Sequence, residues 1–534
     1  MNRPGSRTGE DPSVAAATSA EGPSQDQRSL REIARGSGVS VIGFFAQQLL
    51  QYALFVSISR IWGAKGLGLF ATSQAILWVG GGMFRLGLSN GTVRYVATLR
   101  GTPREGAIRR LLRNVNAVAL GSSLVGGALL YATSDFVGRL LGKPEIVPLL
   151  HVFALAVPVW NLLFIATFAI QGLRHMNWMV GMRNLAQPGV TLAAVAVSGL
   201  LGASLLGGTI AYLVSLGVVL GLALLVLRHL LAGTPTADPP PLREVLIFSF
   251  PLIWTQLVAY GVRNQEILLL AYYRPIAEVG VYNAALKTAV LVGFILAGTT
   301  AIFTPIVASL HASGDLEKLR RLNRTVARWC YTIALPSFCA CVLFGRQILS
   351  LWGHGFEEAW LALVLCAGAQ LVSVATGTGG TLLIMGQRQK IELANSIAAL
   401  LLGLLLDVLL IPKMGILGAA IGAGASMTAV NVLRIVQIQR LWRANPINVR
   451  YVKPTAAGLA GAAAAFGLDR ILTGGAALGP WPRLLLGLPV LILVYAAVLW
   501  LLGFESDDIE VGRSIQRRLA GWRAKREPLP ERPQ

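Results

Sequence analysis

The chain has 534 residues, 54% of them hydrophobic and 13% charged, with a mean hydropathy of +0.62. Charge that scarce, against about 25% in soluble domains, excludes a soluble globular protein and leaves room for more than a dozen membrane crossings of about 20 apolar residues each. The formal net charge of +21 does not point to nucleic acid: Lys and Arg fall in short runs between apolar segments, and no basic, aromatic-interleaved soluble domain exists to bind it.

Residues 1–35 are rich in Ser, Ala, Gly, Pro and charge and contain no short apolar run with a cleavage site, so they read as a disordered cytoplasmic tail rather than a signal peptide. Six apolar runs follow, near 37–58, 68–89, 114–133, 148–170, 179–200 and 205–228, forming a lobe over 36–231. The stretch TPTADPPPLRE (234–244) ends any helix and marks a cytoplasmic linker over 232–244. A second lobe over 245–440 holds six more runs, near 246–270, 279–303, 327–345, 359–384, 391–411 and 415–437. An extra helix pair lies within 450–503, near 455–473 and 484–503, and a basic cytoplasmic tail over 504–534 closes the chain. The predicted fold class is an all-α polytopic membrane protein of about 14 transmembrane helices.

The loops after the second, eighth and twelfth runs are rich in Arg, with Arg94, Arg100, Arg104, Arg109, Arg110 and Arg113 in the first of them. The loops after the fifth and eleventh have none or only Lys413. By the positive-inside bias both termini face the cytoplasm, and the tail RSIQRRLAGWRAKRE (513–527) is then a segment for anionic membrane lipid or a merely solvated helix.

The chain repeats itself. GLGLFATSQA (66–75) returns as EVGVYNAALK (278–287), with Gly68 and Gly280 212 positions apart, and VATL with RRLLR (96–99, 109–113) returns as VASL with RRLNR (307–310, 320–324) at 211. IQGLR (170–174) matches IMGQR (384–388) at 214. Matches in one order and nearly one register indicate two six-helix units of one design. An even number of helices per unit makes the repeats parallel, an arrangement of alternating-access transporters with substrate between the halves.

The GLGLFA and EVGVYNAA lead-ins and, above all, FTPIVASLHASGDLEKLRRLNR (303–324) resemble the polysaccharide exporter, or O-antigen (Wzx-type) flippase, family of the multidrug/oligosaccharidyl-lipid/polysaccharide (MOP) transporter superfamily, over roughly residues 36–440. The resemblance implies a V-shaped pair of six-helix lobes around a central cavity. It also implies transfer of an undecaprenyl-pyrophosphate-linked oligosaccharide from the inner to the outer leaflet of the bacterial inner membrane, for O-antigen or exopolysaccharide synthesis. A polysaccharide polymerase or chain-length machinery would be its neighbours. The alternatives are a flippase for another lipid-linked precursor, such as the peptidoglycan lipid intermediate, and a cation-coupled multidrug exporter.

A pyrophosphate lipid needs cations that face an internal cavity. Lys287, about 12 Å into its span at 1.5 Å per residue, is the first candidate, unless its stem snorkels outward; Asn283 stands one turn before it. Arg263 and Glu266, three apart, share a helix face and would form a gated ion pair, a site for a coupling H+ or Na+, or a surface pair. Gln47 and Gln51, at i,i+4, line a sugar-binding face or bond between helices. Arg85, Arg183 and Arg434 near the cytoplasmic ends of their spans either receive the diphosphate or anchor the interface. Asp407 is a second acidic candidate for the coupling ion.

No acidic residue occurs between Gly36 and Ile58, which weakens the drug-antiporter alternative. Gly418 and Gly422 read as a helix-packing face, and no GxxxxGK[ST] sequence is present to bind a nucleotide. The four cysteines sit in apolar runs without metal or disulfide spacing, so neither metal nor cofactor is expected. A membrane glycosyltransferase would need a catalytic carboxylate or His-rich outer loop. Only His354 with Glu357 and Glu358 approaches one, so the chain reads as a transporter and not an enzyme.

Overall fold

The computed structural model describes residues 25–233, 237–446, 448–475 and 479–503. Among them no strand occurs, as expected of a chain whose backbone must satisfy its own hydrogen bonds inside lipid. The first half comprises α1 (Gln25–Ile76), α2 (Leu88–Leu99), α3 (Ala107–Leu140), α4 (Val147–Gly172), α5 (Met176–Val180), α6 (Gln187–Leu200) and α7 (Leu205–Leu230). The second comprises α8 (Leu242–Ser249), α9 (Leu252–Tyr273), α10 (Ile276–Ala312), α11 (Leu316–Ser350), α12 (Trp360–Ala375), α13 (Gly379–Met385), α14 (Gln389–Met414) and α15 (Ile416–Trp442). Two further helices, α16 (Val452–Gly475) and α17 (Pro480–Leu501), complete the described chain.

Eleven helical stretches among the described residues are long and apolar enough to cross a membrane, against the fourteen expected. The difference arises at three places. The first two expected spans form one 40-residue stretch, Ile42–Gly81, broken at Gly63. There φ is 70° and ψ −173°, a conformation that needs no Cβ. The fifth is interrupted by a π-helical turn, Gly181–Ala186, and the thirteenth is the Ala- and Gly-rich α16. Pro251 separates α8 from α9, as a proline lacking its N–H should. The amino-terminal expectation needs correction, because α1 already runs from Gln25, inside the stretch read as disordered. The remainder of that tail (1–24) and the basic tail (504–534) lie outside the described residues.

The repeat is built into the packing. A Cβ on Gly68 would stand 1.9 Å from the Ile276 carbonyl oxygen, and one on Gly280 would stand 2.0 Å from the Ala64 carbonyl oxygen. Ala64 and Ile276 are themselves separated by the same 212 positions as the glycines, so the two halves meet here through the same atoms seen from opposite sides. Helix termination repeats as well. Leu173, Arg174 and His175 donate their N–H groups to Ala169, Gln171 and Ile170, and Gly386, Gln387 and Arg388 donate theirs to Leu382, Ile384 and Leu383. Arg174 and Gln387 both take left-handed backbone, at φ 57° and 59°. The spacing of this pattern is 213, which shifts the register read from the sequence motif by one residue.

The halves join at the end remote from the arginine-rich loops. Arg60 donates to the carbonyls of Leu351 (2.7 Å) and Ser350 (2.8 Å), and Lys143 donates to that of Ala271 (2.9 Å). At the arginine-rich end α8 crosses onto α2: Gly87 and Gly91 leave room for the Ser249 carbonyl and hydroxyl, and Phe248 meets the Tyr95 ring edge-on and carries the Arg94 guanidinium over its own ring. The helix pair α16–α17 docks on α11 through Leu335, Ala457 and Tyr495, and again through Phe344, Ala465 and Leu491.

Candidate functional site

Lys287 projects from α10 of the second half onto aromatic rings of the first. Its Nζ lies 4.4 Å from the Phe55 ring centroid and 5.8 Å from that of Trp78. The side chain is half-buried and has no carboxylate partner among the described residues, so the quadrupoles of the two rings are its compensation. Beside it Tyr52 accepts from the Trp352 indole (3.1 Å) and from Thr288 (3.4 Å), closing the contact between halves. Asn283 is buried, with its amide oxygen unpartnered. Trp78 is presented by a second π-helical turn, Leu77–Gly81. Such a turn frees a carbonyl, and the buried Asn161 amide donates to that of Gly81 at 3.0 Å while also reaching Ser123 at 2.9 Å.

Arg263 and Glu266 do not pair, which corrects the shared-face expectation. Arg263 is exposed and lies within electrostatic reach of Lys287, whereas Glu266 is 6% exposed and turns into the second half. There it lies within electrostatic reach of Asp407, with Tyr282 and Cys366 beside them. Asp407 is fully buried and neither carboxylate oxygen has a hydrogen-bond partner among the described residues. Space for these groups comes from glycine: a Cβ on Gly422 would stand 2.2 Å from Asp407 Oδ1, and one on Gly403 would stand 1.9 Å from Gln265 Nε2. Gly422 therefore does more than pack α15 against α14. Two buried carboxyl groups within electrostatic reach of one another, those of Asp407 with both oxygens unfilled among the described residues, can take a proton or a small cation.

Arg85 follows the π-helical turn and precedes two left-handed residues, Leu86 and Gly87. It is 1% exposed, so it is not an interfacial anchor. Its guanidinium lies 4.3 Å from the Phe164 ring centroid and 4.9 Å from that of Trp160, and Nη2 donates to the Tyr260 hydroxyl at 2.8 Å. Nε and Nη1 have no hydrogen-bond partner among the described residues. Arg183, in the other π-helical turn, shares the Phe164 ring at 5.2 Å and stacks on Phe168 at 5.0 Å. The two guanidiniums are thus held on one aromatic wall with N–H groups left over, an arrangement suited to a multiply charged oxyanion. Tyr260 belongs to α9, so Arg85 also ties the halves together.

The remaining candidates lie elsewhere. Arg434 is engaged by Glu392 through Nε (3.1 Å) and Nη2 and by Asn431 (3.2 Å), so its charge is already neutralised. That ion pair accounts for Arg434 without a diphosphate. Gln47 and Gln51 are half-buried on α1 and make no hydrogen bond among the described residues, so the interhelical bonding alternative is not realised. Sequence reasoning missed the aromatic walls Phe55, Trp78, Trp160, Phe164 and Tyr260. In apolar spans these rings look like core, and only the placement of an arginine or lysine over them marks them out.

Comparison with known proteins bears on this geometry. Residues 103–364 match the family model described as polysaccharide biosynthesis protein. The "Probable flippase AglR" of Haloferax volcanii is 24% identical over 197 residues, covering 36% of this chain and 40% of that protein. The "Probable low-salt glycan biosynthesis flippase Agl15" of the same organism is 24% identical over 194 residues, 36% of this chain and 41% of its own length. The chain thus matches less than half the length of either relative. Among solved structures, the lipid II flippase MurJ in an inward closed conformation shares the fold at a TM-score of 0.70 and 13% identity, over 86% of this chain and 97% of that one. An inward-facing multidrug resistance MATE family transporter of the MOP superfamily shares it at 0.61 and 16% identity, over 74% and 94%. Family model, relatives and fold agree: the chain resembles the polysaccharide-biosynthesis flippases of the MOP transporter superfamily, as its repeated lead-ins and arginine-rich loops indicated.

Proposed function

We propose that this protein flips a lipid-linked oligosaccharide, carried on undecaprenyl pyrophosphate, from the cytoplasmic to the periplasmic leaflet of the bacterial inner membrane by alternating access. The observation that carries the reading is the placement between the halves of cations that have no carboxylate partner among the described residues. Lys287 and Arg263 stand toward one end, and Arg85 and Arg183 toward the arginine-rich end that the positive-inside bias assigns to the cytoplasm. A pyrophosphate arriving at Arg85 competes with Tyr260 for the guanidinium, loosening a contact between halves on the side of arrival. Lys287 then offers a second cation deeper in the path. Glu266 and Asp407 form the proposed coupling site, where binding one H+ or Na+ cancels one of the two buried negative charges and biases the second half between conformations.

The test is a strain lacking this gene. Its lipid extract should accumulate a pyrophosphate-linked oligosaccharide on the cytoplasmic leaflet while surface polysaccharide is lost. An unchanged lipid profile together with new drug sensitivity would overturn the reading in favour of drug export.

A further inference from the structure

The two halves grip each other twice at the end remote from the arginine-rich loops, and the repeat relates the two grips. Ser59 of α1 and Ala271 of α9 are 212 positions apart, and Leu140 at the end of α3 and Leu351 at the end of α11 are 211 apart. In one corner Arg60 of α1 donates from Nε and Nη2 to the carbonyls of Leu351 and Ser350, at 2.7 and 2.8 Å. In the other corner Lys143, just past α3, donates to the carbonyl of Ala271 in the last turn of α9, at 2.9 Å. Matching elements therefore meet in both corners, but the cation stands on the opening helix in one and at the end of α3 in the other.

The acceptors are carbonyls at the ends of helices, which lack a partner inside the helix and carry the negative end of its dipole. A cation that reaches them from the other half makes a charge-assisted bond and needs no carboxylate. The carboxylates nearest in sequence are engaged within their own halves, Glu145 by Lys65 at 2.6 Å and Glu278 by Arg274 at 3.0 Å. Each partner of the Arg60 corner also adjoins a backbone joint. Arg60 stands three residues before the break of α1 at Gly63, and Ser350 six residues past the break of α11 at Phe344, where φ is −115° and ψ 17°.

This corner reaches the Lys287 site. Tyr52, eight residues before Arg60 on α1, accepts from the Trp352 indole at 3.1 Å and from Thr288 at 3.4 Å, and Thr288 follows Lys287 directly. Phe55, the ring under the Lys287 ammonium, lies between Tyr52 and Arg60 on the same helix. An anion that draws Lys287 off Phe55 therefore strains the contacts by which α1 holds the end of α11. We propose that Arg60 and Lys143 are the positioning residues of an outer latch, which holds the halves together at the end away from the cytoplasm, and that Tyr52 links this latch to occupancy of the Lys287 site. Such a latch has a role only in a protein that alternates between two openings, so it rests on the transport reading above.

The experiment measures the distance between spin labels by pulsed electron resonance on the full-length protein in lipid nanodiscs. The labels go on Leu201→Cys and Met414→Cys, exposed positions beside the outer turns of the two halves, with the four native cysteines replaced by alanine. With Arg60 and Lys143 in place the short distance should dominate. Arg60→Gln/Lys143→Gln should raise the longer-distance fraction at least about fivefold, and each single variant should raise it less. Tyr52→Phe should also raise it. Arg139→Gln, which removes an exposed charge at the end of α3 that makes no contact among the described residues, should leave it unchanged. A rescue by Arg60→Lys, which restores a donor to the carbonyls, would support the capping role. The same short distance in the double variant, with or without a lowered melting temperature, overturns the proposal and leaves these residues as structural ties. The measurement uses no lipid-linked sugar, so its failure is distinct from that of the lipid-accumulation test of the transport reading.

Discussion

Lys287 contacts no carboxylate among the described residues, so substituting it removes a charge without stranding a partner. Lys287→Ala is expected to abolish most polymer export while leaving the amount of folded protein within about twofold of wild type, since removing this half-buried cation leaves no carboxylate unpaired. Immunoblotting of membranes beside surface-polysaccharide staining measures both, and normal export would remove Lys287 from the path. Glu266→Gln keeps the shape of the buried group but cannot ionise. Transport by this variant should lose its dependence on external pH or sodium, and an unaltered dependence would argue against coupling at Glu266 and Asp407. The sequence made both residues legible because an ionisable group in an apolar run is costly unless used. It did not reveal that Arg263 and Glu266 part company. Three residues along a helix are about 60° apart, and where a helix borders both an interior and an interface that angle separates the two environments.

At the level of elements, glycines and π-helical turns set where helices cross and where side chains point. Gly280 faces the Ala64 carbonyl oxygen closely enough that any Cβ forces the halves apart. Gly280→Val should destabilise the fold by about 3 kcal/mol or more, read as a lowered melting temperature in detergent, and Gly68→Val should act alike because the contact is reciprocal. Asn161→Leu leaves the Gly81 carbonyl of the π-helical turn unpartnered, at a cost of about 1–3 kcal/mol, and releases Trp78 from its place beside Lys287. The same melting measurement, joined to an export assay, would show loss of both. The reciprocal glycines could be read from the sequence as a repeated phrase, since a close crossing tolerates only one residue type. The π-helical turns could not, because one extra residue in a helical turn leaves no compositional mark. The same insensitivity explains the register of the helix ends, where matching IQGLR to IMGQR missed the shared hydrogen-bond pattern by one position.

For the whole molecule, charge scarcity, apolar runs and the internal repeat predicted an all-helical membrane protein of two related halves, and the fold shared with MurJ and the MATE transporter agrees. The aromatic walls around Arg85 and Lys287 were not legible, since they form only when residues more than 70 positions apart are brought together by packing between helices and halves. Those walls make the central claim testable: cations poised between two halves move an anionic lipid across the bilayer. The most direct measurement reconstitutes the purified protein into liposomes carrying an undecaprenyl-pyrophosphate oligosaccharide in both leaflets and follows the fraction of sugar reached by an external lectin that cannot cross the membrane. Wild type should make the inner-leaflet pool accessible with time and Lys287→Ala should not. An inner pool that stays protected with wild type, or is exposed equally by the variant, would contradict the account.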